Sequence, residues 1–319
     1  MPTALPRLTR DGERGEDPCS LTATDLGDEL KPAAFEYHAP ETTADVVGLL
    51  REHGDDAKVL AGGQSLVPML ALRLTSFPHL VDVNRVAELD GIQQQNGMLG
   101  IGAVTRQSTL ERDTSVPDVA PLLAKAVKLI GHFQIRNRGT VGGSIAHADP
   151  AAELPTVALA LDAELEVANA DGTRRVPASE FFVGTWTTAM ESDDLLVRAW
   201  FPTKQGRAGF AFEEVARRLG DFGLAGAAGA VELADDDTIA KASIGLLGMG
   251  PTPLRAPAAE AALVGTRGDP DELGEIGRLA AAASDPPADV HASRRYREHV
   301  GAYLVGQAVA KAVEEARRG

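Results

Sequence analysis

Two paired-glycine stretches constrain this chain more than any other feature. The first, "VLAGGQSLVPML" from Val59, sets Gly62 and Gly63 directly after a short apolar run. The second, "RNRGTVGGSIAHADP" from Arg136 to Pro150, carries Gly142 and Gly143. Each is closed by a serine, Ser65 and Ser144. Without a Cβ, glycine lets the main chain come close to a ligand. Successive backbone N–H groups then make a concavity suited to phosphate. The competing reading is two ordinary turns, and the surrounding pattern has to decide between them. Neither stretch has the G-x-G-x-x-G spacing, so a Rossmann dinucleotide fold is not indicated.

The hydrophobic pattern around the first pair reads as strand, turn and helix. "ETTADVVGLLREHG" (41–54) puts Val46, Val47, Leu49 and Leu50 on one helical face, with Thr42 or Thr43 as N-cap and Gly54 just past the end. "AKVLAGGQS" reads as a buried strand ending in a turn, and "SLVPMLALRL" as a helix tolerating Pro68 in its first turn. "HLVDVNRV" and "GMLGIGAVT" are two further strands, the latter after an Asn96–Gly97 turn. "PDVAPLLAKAVKLIG" reads as one helix ending at Gly131, and "PAAELPTVALALDA" as another, so the second glycine pair, like the first, is read in a strand–loop–helix context. "ELEVANADGTRRVPASEFF" reads as a hairpin about Asp171–Gly172, and "DLLVRAWFP" as a strand stopped by Pro202. The order favours α/β or α+β architecture. "FPTKQGRAG" (201–209) marks a domain boundary. Beyond it, "GFAFEEVARR", "GLAGAAGAVEL" and "TIAKASIGLLGMG" read as three antiparallel strands, followed by helices over Pro257–Val264, Asp271–Ala283 and Arg294–Arg317.

Composition excludes several function classes. Lys+Arg 31 against Asp+Glu 46 gives a net charge of −15, which opposes nucleic-acid binding. The lone Cys19 forbids an intrachain disulfide and a resident iron–sulfur cluster, and fits a cytoplasmic setting. No apolar run reaches the roughly 20 residues that span a bilayer. Residues 1–30 are rich in Pro, Gly and charge, and read as an unpacked extension, with Leu30 a candidate non-standard start.

"GGSIA" (142–146) approximates G-x-S-x-G, with Asp149 and His291 following in α/β-hydrolase order. The preceding "QIRNRGTV" is too polar for the strand that such an elbow needs. The seven histidines show no H-x-x-x-H or H-E-x-x-H spacing, so no metal site is expected. The pattern points to a chain that holds a cofactor rather than one that supplies side-chain chemistry.

"KVLAGGQSLVPMLALRL", "HLVDVNRV", "IGHFQIRNRGTVGGSIAHADPAAELP", "FFVGTWTTAM" and "RRLGDFGLAGAA" together resemble the FAD-binding medium subunits of molybdenum hydroxylases, the family of the carbon monoxide and xanthine dehydrogenase flavin subunits. The resemblance implies an α+β fold. It comprises a two-subdomain FAD-binding domain of the p-cresol methylhydroxylase/vanillyl-alcohol oxidase type over 31–205, then a C-terminal domain of a three-stranded antiparallel sheet plus helices over 208–317. By the same resemblance Ala61, Gly62, Gly63, Gln64, Ser65 and Leu66 form one FAD-binding loop. Thr140, Val141, Gly142, Gly143 and Ser144 form the other, with the diphosphate between them. Asp149 and Glu153 fall at polar contact positions, and Leu196 on a strand bordering the cofactor. Phe222 stands where the family usually has a tyrosine covering the isoalloxazine; it is either that stacking ring or a plain core residue. Gln134, Arg136 and Asn137 read as braces for the second loop, and Arg73 as a structural ion-pair partner.

The implied function is electron transfer. Substrate is oxidised on a large molybdopterin-binding subunit, electrons pass through [2Fe–2S] clusters of a small subunit to FAD, and then go to quinone, NAD or dioxygen. The alternatives are a freestanding flavin oxidase of the vanillyl-alcohol oxidase type and a silent subunit that has lost FAD.

Overall fold

The computed structural model describes residues 31–319; Cys19 and the extension over 1–30 lie outside the described residues. The chain builds three successive layers of structure. The first comprises β1 (Glu36–His38), α1 (Thr43–His53), β2 (Ala57–Leu60), α2 (Leu66–Ala71) and β3 (His79–Asp82). Its three strands form a parallel sheet in the order β1-β3-β2. Thr42 caps α1 by accepting from the Asp45 N–H at 3.1 Å, and Gly54 follows with φ 51°. Val46, Val47 and Leu50 of α1 are buried in one core with Val81 and Ala57.

The second layer begins with β4 (Ile92–Gln95) and β5 (Met98–Gly102), joined through the expected Asn96–Gly97 turn. Six helices follow: α3 (Gln107–Arg112), α4 (Val116–Val119), α5 (Pro121–Ala126), α6 (Phe133–Arg138), α7 (Val141–His147) and α8 (Glu153–Ala160). Then come β6 (Glu164–Asn169), β7 (Gly172–Pro177), α9 (Ala178–Phe181), the small β8 (Phe182–Gly184) and β9 (Thr187–Thr188), and β10 (Leu195–Pro202). The large sheet is antiparallel, in the order β4-β5-β10-β6-β7. Alternation along its strands fixes two faces. Leu99, Ile101, Leu165, Val167, Ala199 and Phe201 enter the main core, with Val141, Ile145 and Leu154 of the helices. The opposite face is polar, and carries Trp200 between the guanidinium groups of Arg175 and Arg198 at 4.5 and 5.7 Å.

The third layer holds β11 (Ala208–Ala216), β12 (Gly223–Leu233), β13 (Ile239–Leu247) and β14 (Leu254–Arg255), then α10 (Pro257–Leu263), α11 (Pro270–Ala282) and α12 (Arg294–Arg318). Its antiparallel sheet runs β11-β12-β13-β14, so a two-residue strand joins the three that were expected. The small residues of β12 have a packing reason: a Cβ on Gly229 would meet the Ala308 carbonyl carbon of α12 at 3.1 Å.

Two sequence expectations change. The expected single helix over 117–131 is broken at Ala120 (φ −143°, ψ 65°) into α4 and α5. Pro121 restricts the residue before it and lacks the N–H that would continue the ladder. The second glycine pair does not follow a strand. It lies inside the first turn of α7, which itself follows helix α6.

Candidate cofactor-binding site

Strand β2 delivers the chain to Ala61 and Gly62, and Gly63 takes φ +73°, which an L side chain rarely adopts. The turn feeds α2 through Ser65, which makes no side-chain cap. The N–H groups of Gly62, Gly63, Gln64 and Ser65 donate to no other described residue. Gly62 is buried and Gly63 and Ser65 are half-buried, so these free donors call for an acceptor, since such amides are nearly always paired.

The second loop abuts the first. A Cβ on Gly62 would lie 2.5 Å from the Arg138 carbonyl oxygen and 2.7 Å from Gly139 Cα, and one on Gly143 would lie 3.4 Å from Ala61 Cβ. Gly62 is therefore required by the approach of the two segments to each other, whereas Gly143 is required by its own cap, since a Cβ there would lie 2.6 Å from Thr140 Oγ1. The amides of the second segment, however, are already used. Val141 N–H donates to Thr105 O, Gly142 N–H to Ala103 O, and Ser144 N–H to Thr140 O, at 2.9, 2.9 and 3.2 Å. Gly143 N–H donates to Thr140 Oγ1 at 3.1 Å, which caps α7. The second stretch thus packs behind the first, while the first holds the free main-chain donors.

A cavity of about 340 Å³ opens at the first loop, lined by Leu60 to Gln64, Val67, Pro68, Asp82, Asn84 and Arg138. Asn84 donates to Ala61 O at 2.8 Å and accepts from Arg106 Nη2 at 2.7 Å, and Arg106 Nη1 also donates to Arg138 O. Burial, and then the Arg138 charge beside it, lowers the Arg106 guanidinium pKa from its ordinary value. Two like charges held behind free amides favour an anion. Asn84, Arg106 and Arg138 were not singled out from the sequence. "VDVNRV" carried a signal, because Asn two residues after Asp forms a local turn: Asn84 N–H donates to Asp82 Oδ1 at 2.8 Å.

The remaining expected residues lie further off. Asp149 accepts from Ala151 N–H at 2.8 Å and from Trp186 Nε1 at 3.3 Å, after Ala148 in the left-handed region. Leu196 is buried in the main core, next to a bulge in β10, and its side chain takes no part in the cavity lining. Glu153 opens α8 and is only 7% exposed. Burial first, then the Glu214 charge, pushes its carboxyl pKa up to about 8. Glu214 itself, raised to about 7 by burial, leaves Oε2 without a partner. Its inward position was legible in "GFAFEEV", because it shares strand parity with Phe210 and Phe212.

Phe222 is 66% exposed at the β11–β12 turn, which removes the core-packing alternative. Behind it a Cβ on Gly223 would sit 3.0 Å from Glu214 Cδ, and one on Gly220 would strike the ring of His132, the residue that starts α6. The far end of that short helix is Arg138, so the aromatic turn and the glycine loop flank one helix. Arg136 braces that helix, pairing with both Glu111 oxygens at 2.8 and 3.0 Å and donating to Ile130 O at 2.8 Å. Folding also gathers three histidines that sequence spacing kept apart, His38, His53 and His79.

Residues 33–204 match the family described as the FAD binding domain in molybdopterin dehydrogenase, and residues 210–312 the CO dehydrogenase flavoprotein C-terminal domain. The chain belongs to the FAD-binding medium subunits of the molybdenum hydroxylases. It is an oxidoreductase subunit, and its cofactor is FAD. Among its relatives is the 6-hydroxypseudooxynicotine dehydrogenase complex subunit alpha of Paenarthrobacter nicotinovorans, 38% identical over 90% of this chain and 97% of the relative. The carbon monoxide dehydrogenase medium chain of Hydrogenophaga pseudoflava is 36% identical over 87% and 96%. Among solved structures, carbon monoxide dehydrogenase from H. pseudoflava superposes with a TM-score of 0.87 at 38% identity, covering 89% of this chain and 99% of that one. Quinoline 2-oxidoreductase from Pseudomonas putida 86 does so at 0.85 and 35%, covering 90% and 99%. The free amides, the flanking guanidinium groups and the glycine contacts fit the pyrophosphate of that cofactor.

Proposed function

We propose that this subunit is the electron outlet of a heteromeric molybdenum hydroxylase. It receives electrons from [2Fe–2S] clusters on a small subunit, after substrate oxidation on a large molybdopterin-binding subunit, and passes them to quinone, NAD or dioxygen. The observation that supports it best is the run of four free amides at Gly62–Ser65, packed against Arg138–Gly139. Bound FAD supplies redox chemistry in single-electron and paired steps.

The protein's own residues do the holding. Ala61, Gly62, Gly63, Gln64, Ser65 and Leu66 receive the diphosphate through main-chain donors. Thr140, Val141, Gly142, Gly143 and Ser144 form the second loop, packed behind the first, with Arg138 and Arg106 supplying positive charge. Asp149 and Glu153 lie on the side toward the third layer, and Leu196 supports β10 from the core. Phe222 offers a ring face without the tyrosine hydroxyl. We read residues 31–205 as the flavin domain of the p-cresol methylhydroxylase/vanillyl-alcohol oxidase type, 208–317 as the C-terminal domain, and the complex as cytoplasmic.

The test is affinity capture of the full chain from its own cells, with anaerobic visible spectroscopy. Two companion polypeptides, flavin and iron–sulfur absorbance, and flavin bleaching by the complex's substrate are expected. A yellow chain that co-purifies with nothing and turns over an organic substrate alone would sink the electron-outlet reading. A colourless chain that takes up no FAD would sink the binding site itself.

A further inference from the structure

We propose that His38, His53 and His79 form a second site, separate from the flavin cleft, that takes one divalent transition-metal ion of the zinc class. The three residues come from different elements: β1, the last residue of α1, and the first residue of β3. One ligand atom from each lies within 4.8 Å of the others, and all three are half-buried. Their rings are in mutual contact, with centroids 5.4, 5.4 and 3.7 Å apart. Among the described residues the only polar partners of these ring nitrogens are one another and Glu36.

The spacing suits a shared ion. Two imidazole nitrogens on one tetrahedral zinc, each about 2.0–2.1 Å from it, are separated by roughly 3.3 Å. His38 Nε2 and His79 Nδ1 are 3.2 Å apart. Glu36 Oε2 stands 3.5 Å from the same His79 nitrogen, within reach of a fourth, monodentate bond that supplies negative charge. The His53 ring stacks on His79 with the planes inclined by 12°. An ion lies in the plane of each ring that binds it, so His53 must turn about its Cβ–Cγ bond on binding. It is the half-buried last residue of α1, directly before the turn over Gly54–Asp56. Imidazole donors suit zinc, copper and nickel rather than magnesium or calcium.

The site is structural rather than redox-active. His79 pairs with Ala57, the first residue of β2, whereas the glycine loop begins after Leu60 at the other end of that strand. About 10 Å of strand therefore separates the two. A bound ion would clip the three-residue edge strand β1 to both the helix and the sheet beneath it, closing two long chain loops.

The test uses the full chain without an affinity tag, loaded with FAD, stripped with chelator, and titrated with zinc sulfate against a chromophoric competitor. One equivalent per chain is expected. His53→Gln and His38→Asn should each weaken binding on the order of tenfold or more. Cys19→Ala and His291→Gln should leave it unchanged. Retained FAD absorbance identifies variants that still fold. Cobalt(II) in the unaltered chain provides a second readout that needs no variant, as the intense visible bands of a four-coordinate nitrogen-rich site. Absence of stoichiometric zinc uptake, binding insensitive to both histidine changes, or a cobalt spectrum of the hexa-aquo type would each overturn the proposal.

Discussion

Glycine does different work at different positions in this chain, and the surroundings decide which. At Gly62 a methyl group would press on the Arg138 carbonyl and on Gly139, so Gly62→Ala must part the two segments that frame the cleft. Overpacking of this kind costs about 1–3 kcal/mol, and here it falls on the binding geometry. FAD affinity should drop on the order of tenfold to a hundredfold, read as flavin lost on gel filtration. Gly48 is the contrast: it lies inside α1, and a methyl group added there would meet nothing within 4 Å. Gly48→Ala should keep FAD and raise stability by roughly 0.5–1 kcal/mol in denaturant unfolding. Phe222 makes a third case. Because the ring is exposed, Phe222→Ala should change stability by less than about 0.5 kcal/mol. It should nevertheless weaken FAD binding and raise flavin fluorescence, and Phe222→Tyr should restore both. If the alanine variant holds FAD with unaltered affinity and emission, the stacking role is wrong.

At the scale of elements, Thr140 links the second glycine pair to its helix. Its side chain accepts from Gly143 N–H, so Thr140→Ala frees that amide and should cost about 1 kcal/mol, with Thr140→Ser keeping most of it. Equilibrium unfolding of the three proteins measures this directly. The cap also explains what was legible in the sequence and what was not. Alternation and periodicity were strong for α1, for the hairpin of β6 and β7, for β10 and for the long strands of the third layer, because each buries one regular face. They were weak for α3, α6 and α7, which at six or seven residues each are too short for a periodic apolar stripe to stand out; the Thr140 cap starts α7 and Arg136 braces α6. The same weakness hid part of the site. The glycines were conspicuous as letters, but Asn84, Arg106 and Arg138 join them only through contacts across separate elements. The histidine cluster was invisible for the same reason: its members stand on two strands and a helix end, with no spacing to report them.

At the scale of the whole molecule, the layers are tied by an interface that carries its own chemistry. Arg255 of β14 pairs with Glu260 at 2.7 Å, and reaches into the second layer to Asp162 at 2.7 Å and Leu159 O at 3.1 Å. Deeper in the same seam, Glu153 of α8 and Glu214 of β11 repel each other, and the Arg136 charge offsets only part of that repulsion. Burial and mutual repulsion raise Glu153 from 4.5 to about 8, and burial raises Glu214 from 4.5 to about 7. The folded protein therefore binds protons that the unfolded chain has released, across the window from 4.5 up to those values. Stability is at its fullest below 4.5 as far as this pair is concerned, and declines as pH rises through the window. A shift of one unit corresponds to roughly 1.4 kcal/mol, and for a chain of this size each kcal/mol moves the midpoint by about 2–4 °C. The melting temperature should thus fall by several degrees between about pH 5 and pH 8. Glu153→Gln keeps the shape and removes the larger of the two titrations, so its curve should fall less steeply over the same interval, with the burial-driven shift of Glu214 remaining. The acids whose pKa values are lowered, such as Asp194 beside Arg174, act only below their ordinary value of 3.8 and leave this window untouched. A melting temperature that rises toward pH 8, or a glutamine variant with the slope of the unaltered protein, would mean that the seam carboxyls ionise freely and that the layers pack less tightly there than their burial implies.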